Sequence, residues 1–132
     1  MEGTTMMSAV AERIYARVNT LVKAKEDLRH EINKLKDTID AEKRGIHRTE
    51  ADIVSEAASP YTGGAVDLRL ASELRELNRE RHDLKAEEKR LIELTAKYNE
   101  LIKTIEDHRF WMRRADTLDP VRQQEAEKKI FG

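Results

Sequence analysis

The chain has 132 residues, of which 39% are charged and 5% aromatic, with no cysteine and a formal charge of −1. So much charge excludes a thick globular core, while the supply of Leu, Ile, Ala and Val excludes a disordered chain; long helices with a narrow buried seam fit both facts. The lack of Cys removes disulfides, thiolate zinc sites and Cys nucleophiles, and 25 Lys and Arg against 26 Asp and Glu leave no global basic field for nucleic acid.

Residues 1–6 read as a flexible N-terminus. The stretch MEGTTMMSAVAER has no basic segment followed by an apolar one, and no apolar run approaches the roughly 18 residues of a membrane span. The expectation is an unprocessed, soluble, cytoplasmic protein with no membrane insertion.

From Met7 to Ile53 apolar residues recur in alternating steps of four and three, the mark of a heptad seam. One column holds Met7, Ile14, Leu21, Leu28, Leu35, Glu42 and Thr49; the other holds Ala11, Val18, Lys25, Ile32, Ile39, Ile46 and Ile53. Gly45 is the only strong helix breaker inside, and its cost of about 1 kcal/mol against Ala is tolerable in a helix spanning about 7–57. The pattern stops at Ser59-Pro60-Tyr61-Thr62-Gly63-Gly64, which predicts a turn over 58–66.

A second helix, about 67–116, repeats the alternation through Leu70, Leu74, Leu77, Arg81, Leu84, Glu88, Leu91, Thr95, Tyr98, Ile102, Ile105, Arg109 and Met112. The two seams complement each other in an antiparallel hairpin if facing residues have numbers totalling about 123. That register places Glu42 opposite Arg81 as a neutralising core pair, and Lys25 opposite Tyr98. Residues 117–132 then form a short C-terminal helix or tail, with Asp119 as cap and Pro120 at the first helical position. The fold class expected is all-α: a long antiparallel two-helix coiled-coil hairpin with a short C-terminal helix.

The four histidines, His30, His47, His82 and His108, do not join further donors at metal-ligand spacing, and Gly63-Gly64 lacks the Lys and the preceding strand of a phosphate cradle. A two-helix arrangement also offers carboxylates no concave pocket in which to shift their proton affinity. The chain therefore reads as a non-enzyme with no catalytic residues, no metal, no cofactor and no small-molecule substrate.

Protein partners remain. Under the 123 register Leu94 and Leu101 fall beside the seam, with Val10, Tyr15, Val22 and Ile92, and widen the apolar stripe beyond what one helix covers. The cover is the tail helix, a second copy of the chain or a different protein, and a homo-oligomer is favoured because four helices bury both stripes. Tyr61 at the turn either staples the loop or touches a partner. The run Arg109-Phe110-Trp111-Met112-Arg113-Arg114 carries the only Trp beside three arginines, so Phe110, Trp111, Arg113 and Arg114 are candidate partner contacts, with Ile130 and Phe131 of the tail. The same run is the basis for a lesser alternative, an accessory protein that stacks single-stranded nucleic acid on Trp111.

In size, hairpin plan and charge-rich heptads, and in the run Phe110 to Arg114 near the end of the second helix, the chain resembles the stalk proteins of flagellar and type III export ATPases. The resemblance is architectural. It implies a slim turn end that enters an ATPase ring and modulates turnover, and it assigns no individual residue a role. The main expectation is a scaffold or adaptor that self-associates and binds partner proteins in a larger assembly.

Overall fold

The computed structural model describes residues 7–58 and 64–132. They form three helices: α1, Ala9–Ala57; α2, Gly64–Ala115; and α3, Pro120–Phe131. The two long helices pack against each other and the short C-terminal helix follows, with no strand among the described residues. Contacts of Ser8 with Ala115, Glu31 with Arg90 and Glu56 with Arg69 run α1 and α2 in opposite directions. The predicted turn residues 59–63, Tyr61 among them, and the N-terminal residues 1–6 lie outside the described residues.

The seam read for α1 is the seam that is buried. Ala11, Ile14, Val18, Ile32, Leu35, Ile39 and Ile46 are buried, and Met7, Leu21, Lys25, Leu28, Glu42, Thr49 and Ile53 are half-buried. On α2 the column Leu70, Leu77, Leu84, Leu91, Tyr98, Ile105 and Met112 also faces inward. Of its companion column only Ile102 is half-buried as expected. Leu74, Arg81, Glu88, Thr95 and Arg109 are exposed, and the inward positions are one residue earlier: Glu73, Glu80, Glu87, Leu94, Leu101, His108 and Ala115.

The reason lies in the two ways a heptad can be completed. From the Leu70 column a second column can follow at three or at four residues, and both preserve the alternation. Leu74 favours the step of four, whereas Leu94, Leu101 and Ala115 favour three. One helix holds one phase, and the apolar set nearer its C-terminus sets it. Three glutamates are carried into the seam as a result.

The chain divides into two compact units, a terminal one, Met1–His30 with Ala96–Gly132, and a middle one, Glu31–Thr95. In the terminal unit α3 lies on α1 and α2. Ala126 and Ile130 join Val10, Ala11, Ile14, Val18, Ile105 and Ala115 in one buried cluster, flanked by the half-buried Leu101, Trp111, Met112 and Phe131. Ile14 is fully enclosed, and burying a side chain of that size stabilises by about 1.5–3 kcal/mol. Asp119 caps α3 by accepting from the Val121 amide at 3.0 Å, Pro120 occupies the first turn, and Gly132 closes it at φ 90° with its amide on the Lys128 carbonyl. The tail helix is thus one cover of the widened stripe.

In the middle unit, cross-helix ion pairs fix the register. Arg81 reaches Glu50 at 3.1 Å, Lys43 reaches Glu88 at 4.0 Å and Arg90 reaches Glu31 at 2.9 Å. Such flanking pairs sit to either side of the seam, and their numbers bracket facing residues that total about 126, three more than the register expected from sequence. The Glu42–Arg81 core pair does not form: the shift and the changed phase turn Arg81 outward to Glu50, and Glu42 instead has Glu87 and Asp83 as its charged neighbours.

Candidate partner-binding surface

Two regions of the molecule combine chemistry with exposure. The first is the α2–α3 corner of the terminal unit. The Ser8 hydroxyl caps α1 by accepting from the Ala11 amide at 3.1 Å, and it donates to the Ala115 carbonyl at 2.5 Å, joining the start of α1 to the end of α2. The connection from Asp116 to Asp119 is braced in turn. The Thr117 amide donates to the Ala115 carbonyl, the Asp119 amide to the Thr117 hydroxyl at 3.3 Å, and the Gln123 side-chain amide to the Thr117 carbonyl at 2.6 Å.

On this fixed backbone Leu118 is 97% exposed and Val121 72% exposed. Beside them a groove of about 470 Å³ is lined by Met7, Ser8, Ala9, Asp116, Thr117, Leu118 and Gln123. Sequence reasoning passed over Leu118 and took Val121 only as an apolar side chain of the tail, with Ile130 and Phe131, able to pack on Phe110 and Trp111; the signal for both as surface residues was their place on either side of the Asp119-Pro120 helix start.

Next to the corner lies the aromatic and basic face. Phe110 and Trp111 meet edge to face at 5.1 Å between ring centres. The Arg114 guanidinium lies 5.6 Å from the Phe110 ring and 5.7 Å from the Trp111 ring, and the Lys129 ammonium lies 5.8 Å from Trp111. Arg114 also faces Glu125 at 3.6 Å. Arg109 and Arg113 are exposed one turn apart, with no ion pair among the described residues.

No family model, curated protein or solved structure matches this chain.

The residues singled out from sequence therefore divide by where the fold puts them. Phe110, Arg113 and Arg114 are exposed. Trp111 is half-buried against α3 and the cluster, and Ile130 is buried within it. Phe131 is half-buried beneath the Arg13 guanidinium, 4.4 Å from its ring centre. Leu94, 8% exposed, and Leu101, half-buried against the cluster, are not outward-facing contacts; the α2 phase that the sequence left ambiguous turns them into the hairpin's own seam.

The second region is the middle unit, where seam chemistry is acidic. Thr49 donates from its hydroxyl toward Glu80 at 3.0 Å, with the Gly45 carbonyl as its other acceptor. Glu42 and Glu73 each bury a carboxylate oxygen without a hydrogen-bond partner. Burial, and then the charges of Glu87 and Asp83, hold the Glu42 carboxyl above the usual carboxylate range. Ile92 is 71% exposed beside a groove of about 350 Å³ that Lys36, Ile39, Asp40, Lys43, Glu88 and Leu91 complete. Among the described residues no group of three His, Cys, Asp or Glu is placed to hold a metal ion, and no helix is long and apolar enough to cross a membrane.

Proposed function

We propose that the chain is a non-enzymatic coiled-coil scaffold that self-associates and binds partner proteins, with the α2–α3 corner as a principal contact. The observation that carries this reading is Leu118 and Val121, two exposed aliphatic side chains held on a backbone braced by Ser8, Thr117, Asp119 and Gln123. A loop left free to move would lose much of its binding energy to ordering, whereas a fixed corner loses little. Phe110 and Arg114 extend the same unit's surface with residue types that contribute strongly at protein interfaces. Scaffolding fits the grooves as well. They are furrows between helices lined by lysines, glutamates and aliphatic side chains, and a partner helix can lay side chains into them.

The test is co-purification of the full chain from its native source, with and without Leu118→Glu and Val121→Glu. The double variant is expected to lose its partner proteins while keeping its helical circular dichroism. Retention of every partner would refute the corner as the contact. Stimulation of an export-type ATPase by the wild-type chain would move the assignment to a stalk or regulator instead.

A further inference from the structure

Within the middle unit one inward column of α2 is Glu73, Glu80, Glu87 and Leu94, and its three glutamates are half-buried. A column of α1 runs Glu42, Thr49 and Glu56, each half-buried as well. The two columns meet. Glu42 has Glu87 and Asp83 of α2 as its charged neighbours; the Thr49 hydroxyl donates toward the Glu80 carboxylate at 3.0 Å; Arg69 donates to Glu56 at 2.7 Å with Glu73 close enough to add its charge.

Among the described residues, a cation bonds to these columns only at Glu56. The other basic side chains that pair nearby do so beside the columns: Lys43 with Glu88, Arg81 with Glu50 and Arg79 with Glu76. Glu42 and Glu73 each bury a carboxylate oxygen that no donor reaches. An ionised carboxylate only accepts hydrogen bonds, so carboxylates that face one another repel and leave oxygens unsatisfied, whereas one added proton supplies a donor and removes a charge.

We propose that the middle unit is a pH-sensitive clasp, whose two helices open locally at neutral pH and close as the facing carboxyls of Glu42, Glu80 and Glu87 take up protons. Opening bares Ile39, Ile46, Leu77 and Leu84, which are buried or half-buried when the clasp is shut, so pH controls access to aliphatic surface. This goes beyond the corner contact and does not depend on it. Histidines also gain charge between pH 7 and pH 5, and two stand at the rim: His47 3.5 Å from Glu50 and His82 3.9 Å from Asp83. Both are exposed, where such pairs contribute little.

Amide hydrogen exchange of the full chain at pH 7 and pH 5, corrected for the intrinsic rate at each pH, tests the clasp. At pH 7 the amides of Ile39, Ile46, Leu77 and Leu84 are expected to be about tenfold less protected than those of Ile14 and Ile105, and at pH 5 their protection should rise about tenfold. Glu42→Gln with Glu87→Gln, a neutral pair of nearly the same shape, should show the higher protection already at pH 7 and lose the pH response. His47→Gln with His82→Gln should keep it. Equal protection of the two sets at pH 7, or protection of the first set that does not rise at pH 5, would overturn the proposal with no variant needed. A full pH response in the glutamine pair, or its loss in the histidine variant, would overturn it too, by placing the switch outside the seam.

Discussion

The Ser8 hydroxyl donates to the Ala115 carbonyl across 107 positions of sequence while accepting from the Ala11 amide, so one side chain serves the first turn of α1 and the last turn of α2. Both bonds satisfy groups that helix ends leave without partners. Ser8→Ala removes a cap and an interhelix bond together and is expected to lower stability by about 1–2 kcal/mol, read by urea denaturation. Hydrogen exchange should quicken first at the amides of Ala11 and Glu12. Unchanged stability would show that water replaces both bonds.

Leu101 discriminates the two possible phases of α2. If it faced outward, Leu101→Glu would alter association and leave helicity intact. Packed against the terminal cluster it buries a carboxylate among apolar side chains, and the expected outcome is a loss of about 3 kcal/mol or more, with reduced helicity on mild heating. Thermal circular dichroism checks this; Thr95→Glu, at an exposed position, is the control.

Glu42 predicts a pH dependence whose direction follows from its surroundings. Its carboxyl is held above the usual range chiefly by burial, so the folded state binds that proton more tightly than the unfolded chain does. The resulting stability is fully present below the ordinary value of 4.5 and is lost as pH rises through the raised one. Glu42→Gln, a mimic of the neutral form, should therefore be more stable than the wild type at pH 7 and should lose that advantage on acidification. Denaturant midpoints at pH 7 and pH 4 measure it; an equal advantage at both would point to packing rather than charge.

His108 is 7% exposed, and neither ring nitrogen has a hydrogen-bond partner. A buried polar group left unsatisfied costs about 1–3 kcal/mol. His108→Leu should accordingly raise the denaturation midpoint, by an amount equivalent to about 1 kcal/mol or more. A lower midpoint would mean that the imidazole's shape matters more to the cluster than its missing bonds.

What the sequence determined by itself follows from periodicity and from local backbone chemistry. The α1 seam was readable residue by residue because apolar side chains fill eleven of its fourteen positions, leaving a single phase that buries them. The start of α3 was equally plain, since an Asp cap followed by Pro specifies a helix start without reference to anything distant. Tertiary structure decided the rest. The α2 pattern admits two phases of similar apolar content, and the packing of Leu94, Leu101 and Ala115 chose the one that buries Glu73, Glu80 and Glu87, moved the register by three residues and parted Glu42 from Arg81. Likewise nothing local states that α3 folds back onto Val10 and Ile14, leaving Leu118 and Val121 exposed at the corner. A surface exists only after every helix has chosen the face it buries, and that choice belongs to the contacts between helices rather than to any one of them.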